Sequence, residues 1–242
     1  MAKLSNRRVR RALRVVEDLV FPPICGGCHR RGTWLCQACL NELEPIAQPI
    51  CARCGQPADR ECDMCGHCSA WPEEIGEVRA AYKFGGPIRE SIHRYKYQGE
   101  FARAPSLAGL VFQAMQRPVF DASSGWDLIA FVSLHSRRRR QRGFDQSMLL
   151  ARCLAGHLEL PYTVELKRLI DTPSQVGRGS AERQTNVRNA FGWSGSPLTG
   201  ANVLMVDDVI TTGATIVSAS TALIQAGAAR VDGIAIAREV FR

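Results

Sequence analysis

The chain has 242 residues, 45% of them hydrophobic and 22% charged, the composition of an ordinary folded protein with room for one large domain or a small and a medium one. No run approaches the roughly 18 apolar residues of a membrane span, and Arg14, Glu17 and Asp18 interrupt the only N-terminal apolar run, so neither a span nor a secretory core is expected and the protein should stay in the cytoplasm. With 31 Lys and Arg against 23 Asp and Glu the net charge is +8, which suits a polyanionic partner, a pyrophosphate ligand or nucleic acid, without demanding one.

Residues 3 to 20 read as a short helix, loaded with Arg7, Arg8, Arg10, Arg11 and Arg14 and carrying a narrow stripe of Leu13, Val16 and Val20. Such a helix touches nucleic acid or a membrane surface, or is a solvated helix that packs its stripe on its own protein, which is the reading we favour. Pro22 and Pro23 stop it. The first unit is therefore a basic N-terminal helix, residues 1–23.

Nine of the ten cysteines fall between Cys25 and Cys68. In a reducing compartment a local cluster of thiols points to metal rather than to disulfides. Cys25 and Cys28 form one C-x2-C pair, and Cys36 and Cys39 a second. Cys51 and Cys54 open another set, closed by two of Cys62, Cys65 and Cys68. Each pair sets two sulfurs on one tight turn, and two facing turns offer four thiolates in the tetrahedron of a structural zinc site. Symmetry with the first set selects Cys62 and Cys65; the spacing around Gly66 selects Cys65 and Cys68, which we take as ligands. His29 and His67 also sit inside knuckles. Four cysteines leave no open coordination position, so both sites are read as structural. The segment 24–70, poor in apolar residues, is a double zinc-ribbon module held by metal rather than by a core.

From residue 71 to 242 the pattern is that of a packed domain. Residues 78–84 read as a strand, 87–97 and 101–117 as helices, 127–134 as a buried strand followed by a basic loop, and 144–158 as a helix. Residues 162–169 read as a strand and 171–185 as a polar loop. Residues 202–206 are an apolar strand ending in two acids, 214–226 a helix stopped by Gly227, and 230–237 a last strand. Strands alternating with helices indicate an α/β fold, a mainly parallel sheet flanked by helices.

The most informative segment is Val203 to Thr215. An apolar strand delivers Asp207 and Asp208, and the loop Thr211-Thr212-Gly213 opens a helix at Ala214 and Thr215. Backbone N–H groups at a helix start cradle a phosphate, favoured by the helix dipole. The threonines add hydroxyls, and ionised Asp207 and Asp208 accept hydrogen bonds from ribose hydroxyls.

This segment resembles the 5-phosphoribosyl-1-pyrophosphate (PRPP) motif of type I phosphoribosyltransferases. Together with the tandem cysteine pairs it resembles the ComF family over residues 20 to 240. Three further stretches match: Lys83 to Pro87 with Tyr95 to Gly99; Arg140-Gln141-Arg142-Gly143-Phe144-Asp145-Gln146-Ser147; and Thr172 to Gln175 with Ala181 to Arg183 and Asn186 to Phe191. The chain departs from the family at Val132-Ser133-Leu134-His135-Ser136, where a proline-rich stretch is usual, at Asp145, where Asn is usual, and at Gly177-Arg178-Gly179.

The resemblance implies a type I phosphoribosyltransferase fold behind the zinc ribbons. It also implies Mg2+-dependent PRPP binding, with Asp207 and Asp208 on the ribose and Thr211 to Thr215 on the 5-phosphate. The loop near Ser133 would face the pyrophosphate, with Arg142 and Lys96 as cations beside that leaving group, while Arg138 and Arg139 read as solvated. Two functions fit: a phosphoribosyltransferase, or a non-catalytic PRPP-sensing competence factor that grips single-stranded DNA or a partner protein during DNA uptake. Trp34, Trp71, Tyr82, Tyr95 and Tyr97 are the aromatics available for stacking on bases.

Overall fold

The computed structural model describes residues 22–120, 125–171 and 190–240. The basic helix expected over 3–20 and all of residues 172–189 lie outside them.

The sheet is parallel, in the order β1 (Ile75–Lys83), β6 (Arg230–Arg238), β5 (Asn202–Ile210), β2 (Leu128–Phe131). Alternate residues of its strands feed two separate cores. Leu204, Val206, Ile234 and Ile236 pack under α2 (Gly86–Tyr97), α3 (Ala104–Ala114) and α5 (Gln146–Leu158). Val203, Met205, Val231 and Ala235 pack under α6 (Ala214–Gln225) with Ile216, Ala219 and Leu223. Burial on both faces explains why these strands are nearly continuous apolar runs.

The structure refines several sequence expectations. The segment expected as one strand over 162–169 divides: Tyr162 makes a parallel bridge to Ile129, outside β2, and β3 (Leu166–Arg168) pairs antiparallel with β4 (Phe191–Trp193) in a small second sheet. The helix expected over 101–117 is a 3-10 turn (Phe101–Arg103) followed by α3. The expected basic loop contains a helix, α4 (Ser136–Arg142), closed by Gly143 in the left-handed conformation. Strand β5 runs on through both acids to Ile210.

The chain order sets where a ligand can enter. From β2 the chain crosses over one face through α5 and returns outside β2 at Tyr162; from β5 it crosses the other face through α6 to β6. Connections that diverge from adjacent strands leave a crevice beyond their C-terminal ends, where open α/β sheets bind ligands. The β2 ladder also ends at Phe131 opposite Val206, so β5 pairs only with β6 at Asp207 and beyond.

The cysteine segment, with its one short helix α1 (Gln37–Asn41), is stapled to this body by buried guanidinium groups. Arg103 donates to the carbonyls of Ile24 and Trp34, Arg79 to those of Ala52 and Arg53, and Arg238 to that of Cys54 and to Gln56 Oε1. Arg103 and Arg238 are fully buried. A charge tolerates such burial when carbonyl oxygens and acids replace its water.

Candidate functional site

The crevice is walled by the end of β5, the turn into α6, and the segment after β2. Asp207 and Asp208 are 8% and 4% exposed. Asp207 Oδ1 accepts from Ser147 Oγ at 3.2 Å and from the Asp208 N–H at 2.8 Å. Asp208 Oδ1 lies 2.8 Å from Lys96 Nζ, on the last turn of α2. Its other oxygen, Oδ2, is buried with no hydrogen-bond partner among the described residues. A buried carboxylate oxygen without a donor is costly, and a ligand hydroxyl or a cation would relieve it. Burial, and then the negative charge of Asp208, pushes the Asp207 carboxyl up to about 8. Burial opposes the Lys96 charge, but the contact with Asp208 outweighs it and the ammonium is held above its ordinary range.

The turn Thr211-Thr212-Gly213 leads into α6 with no side-chain cap at the helix start. The one side-chain acceptor among the described residues there, Thr212 Oγ1, lies a long 3.5 Å from the Ala214 N–H, so the first-turn N–H groups keep their capacity for an anion. Gly213 has φ +74°, in the left-handed region that glycine enters without steric cost. A Cβ there would also lie 2.8 Å from Trp71 Cζ2. Thr212 is buried, and Thr211, Ala214 and Thr215 are half-buried at the same turn.

The opposite wall carries a residue whose part the sequence did not reveal. Asp145 caps α5 through Oδ1, which accepts from the Met148 N–H at 3.3 Å, while Oδ2 accepts from the Leu134 N–H at 2.8 Å. Burial raises its pKa, and these two N–H bonds partly offset the rise. One side chain thus ties the segment after β2 to the start of α5. The available signal was an Asp directly before a helical run, which predicts the cap but not the second bond. Ser133 in that segment is buried, and its Oγ has no partner among the described residues.

The other expected cations separate. Lys96 is at the acids. Arg142 donates to Gln146 Oε1 and lies over the ring of Tyr97, 5.0 Å from its centroid. Arg138 is half-buried with Nε 3.5 Å from Asp171 Oδ1, which differs from the solvated position expected for it; Arg139 is exposed.

The cysteines assemble in two groups, Cys25, Cys28, Cys36 and Cys39, and Cys51, Cys54, Cys65 and Cys68, with sulfurs inside each within 4.8 Å of one another. Four sulfurs at about 2.3 Å from a tetrahedral zinc would be roughly 3.8 Å apart. The observed separations include 3.5 Å for Cys28–Cys36, 3.6 Å for Cys51–Cys68 and for Cys54–Cys65, and 3.8 Å for Cys65–Cys68. The residues therefore fit the metal. Burial works against the Cys25 and Cys51 thiolates, but backbone N–H groups of each knuckle outweigh it and bring both to about 6. Burial and neighbouring sulfurs push the Cys39 thiol upward, so a divalent cation is what lets all four ionise. Cys62 stays outside the second group, and His67 turns its Nε2 to the Thr212 carbonyl oxygen at 2.6 Å.

Among the suggested stacking aromatics, Tyr95 and Tyr82 are buried and Trp34 lies beneath Arg103. Tyr97 is 59% exposed, as is Phe101, which lies outside the aromatics expected from the sequence. No helix among the described residues is long and apolar enough to cross a membrane.

Residues 16–69 match the double zinc ribbon domain family. Over 222 residues the chain is 30% identical to the DNA utilization protein YhgH of Salmonella typhi, covering 88% of this chain and 96% of that protein. It is 28% identical over 221 residues to competence protein F of Haemophilus influenzae, covering 88% and 94%. A solved glutamine PRPP amidotransferase from B. subtilis, complexed with ADP and GMP, overlaps 54% of this chain and 25% of its own at 22% identity and a TM-score of 0.36.

Proposed function

Because the chain belongs to the ComF family of competence and DNA-utilization proteins, with a double zinc ribbon at its N-terminus, we propose that its crevice binds PRPP together with Mg2+ and that the protein is a phosphoribosyltransferase. The observation that carries this reading is the pair of buried acids at the end of β5, one with an oxygen unpartnered among the described residues, a few residues before a helix start whose N-cap, Gly213, has no side chain. Acceptors for a vicinal diol and donors for a phosphate, a few residues apart at one strand end, match a phosphorylated ribose in both polarity and order.

On this reading Asp207 and Asp208 accept the ribose hydroxyls, while Lys96 holds Asp208 so that its second oxygen faces the ligand. The N–H groups at the start of α6, with the hydroxyls of Thr211, Thr212 and Thr215, receive the 5-phosphate. Arg142 and the segment at Ser133 and Leu134 are proposed for the pyrophosphate end. Mg2+, arriving with PRPP, would neutralise the departing pyrophosphate. The chain's own contribution is positioning and charge around the anomeric carbon as the leaving-group bond breaks.

Calorimetric titration of PRPP with Mg2+ tests the reading. Wild type should bind, and Asp207→Ala, Asp208→Ala and Thr215→Val should bind at least several-fold more weakly while keeping the wild-type circular dichroism. Pyrophosphate release measured with bases, glutamine and ammonia as acceptors then separates an enzyme from a sensor. Failure of wild type to bind PRPP would defeat the proposal.

A second reading, binding of single-stranded DNA, is favoured by one surface. Tyr97 and Phe101 are exposed, Phe101 meets Phe144 edge-on at 6.1 Å, His93 lies 5.0 Å from Tyr97, and Arg142 adds a cation over the Tyr97 ring. Exposed rings beside cations are what sequence-independent stacking uses. Binding should be weak, fall steeply with salt, and drop in Tyr97→Ala and Phe101→Ala. Salt-insensitive binding, or none at low salt, would remove this reading.

A further inference from the structure

The second cysteine group touches the phosphate-binding turn directly. His67, inside the Cys65–Cys68 knuckle, reaches across 145 positions to put Nε2 at 2.6 Å from the Thr212 carbonyl oxygen. A carbonyl only accepts, so Nε2 carries the proton and donates. Trp71 packs on Gly213 so closely that a Cβ there would be 2.8 Å away. The His67 and Trp71 rings meet at 6.3 Å and 70°. His67 lies inside the turn that the Cys68 N–H closes on the Cys65 carbonyl, and the Trp71 N–H donates to the Cys68 carbonyl, each at 3.1 Å. Arg53, inside the Cys51–Cys54 knuckle, donates through Nη1 to the Cys68 carbonyl at 3.2 Å and through Nη2 to that of Trp71 at 3.2 Å, which joins the two knuckles, and its Nε donates to the Ile75 carbonyl of β1 at 3.3 Å, which joins them to the body.

Peptide planarity turns this contact into a constraint on the site. In a trans peptide the carbonyl of one residue and the N–H of the next point in opposite directions. With the Thr212 carbonyl held by His67, the Gly213 N–H is aimed away from the zinc module. That N–H belongs to the turn from which the N–H groups of α6 continue.

We propose that the cluster of Cys51, Cys54, Cys65 and Cys68 positions the phosphate-binding turn through His67 and Trp71, so that metal at this cluster and phosphate at the turn strengthen one another. The proposal rests on the phosphoribosyl reading of the crevice. His67 and Trp71 are positioning residues; neither is assigned a contact with the ligand. Linkage requires reciprocity: if metal orders the turn for phosphate, phosphate must slow the loss of that metal.

The test uses the full-length zinc-loaded protein and ribose 5-phosphate, which carries the diol and the 5-phosphate without a pyrophosphate that would itself chelate zinc. Zinc release to a chromogenic chelator is followed with and without saturating ribose 5-phosphate. We expect release of one zinc to slow several-fold and release of the other to be unchanged. His67→Leu should abolish the slowing and weaken ribose 5-phosphate binding about tenfold, while His67→Gln, which retains an N–H donor, should restore much of both. If ribose 5-phosphate binds wild type and both zinc ions leave at unaltered rates, the coupling is wrong and the phosphoribosyl reading stands. If neither ribose 5-phosphate nor PRPP binds wild type, the phosphoribosyl reading falls and the coupling falls with it. The release comparison on unmutated protein decides the matter even if His67→Leu does not fold.

Discussion

Lys96 Nζ and Asp208 Oδ1 stand 2.8 Å apart, joining the last turn of α2 to the end of β5 across 112 positions of sequence. Asp208 is buried, so removing the ammonium leaves a carboxylate without its counter-charge. Breaking a buried pair from one side is expensive; with Lys96 side chain 20% exposed, we expect Lys96→Ala to cost about 2 kcal/mol, a fall in Tm of roughly 4–8 °C. Lys96→Ala combined with Asp208→Asn should recover most of that loss in thermal unfolding. An additive double mutant would show that the two side chains do not depend on each other.

Asp207 makes stability depend on pH. Its carboxyl is raised from an ordinary 3.8 to about 8, by burial and then by the charge of Asp208. A carboxyl raised on folding favours its protonated form in the fold. Its stabilising contribution is complete below about pH 4 and is lost as pH rises through about 8. Asp207→Asn mimics the neutral form, so it should raise Tm, with the gain growing between pH 5 and pH 8 and reaching at least about 1 kcal/mol, or roughly 2–4 °C. Differential scanning calorimetry across that range is the measurement. A gain that does not vary with pH would contradict the assignment. The variant should be more stable and bind PRPP more weakly, as expected where a site stores unfavourable charge for its ligand.

Metal analysis of protein purified without chelator should give two zinc per chain. Cys62→Ser should keep both. Cys65→Ser or Cys68→Ser should lose one and destabilise the contacts of Arg238, which donates to the Cys54 carbonyl at 2.5 Å. Loss of a zinc from Cys62→Ser would mean that the second cluster closes differently in solution.

Asp145→Ala removes the cap of α5 and the acceptor of the Leu134 N–H together. Capping alone is worth about 1 kcal/mol, and the freed Leu134 N–H adds to it. We expect a Tm lowered by roughly 3–8 °C, with hydrogen exchange at Leu134 accelerated beyond the global change. Asp145→Asn keeps one acceptor oxygen and turns its NH2 toward the other backbone N–H, so its Tm should fall between those of wild type and Asp145→Ala. Unchanged exchange at Leu134 in Asp145→Ala would show that the segment after β2 is held by something else.

What the sequence by itself determined was local. The C-x2-C pairs, the apolar run into Asp207 and Asp208, and the turn Thr211-Thr212-Gly213 before α6 are each written within a few consecutive residues, because a knuckle, a strand and a helix start are short-range conformations. What the tertiary structure decided lies between distant segments. It selected Cys65 and Cys68 over Cys62, paired Lys96 with Asp208, and set His67 against Thr212. It also extended β5 past its apolar residues: the ladder to β6 continues through Asp207, opposite Ala235, to Ile210, and backbone pairing there outweighs the unfavourable burial of an acid. Charge at a burial site is settled by which partner arrives from elsewhere in the chain, and periodicity along the chain carries no record of that partner.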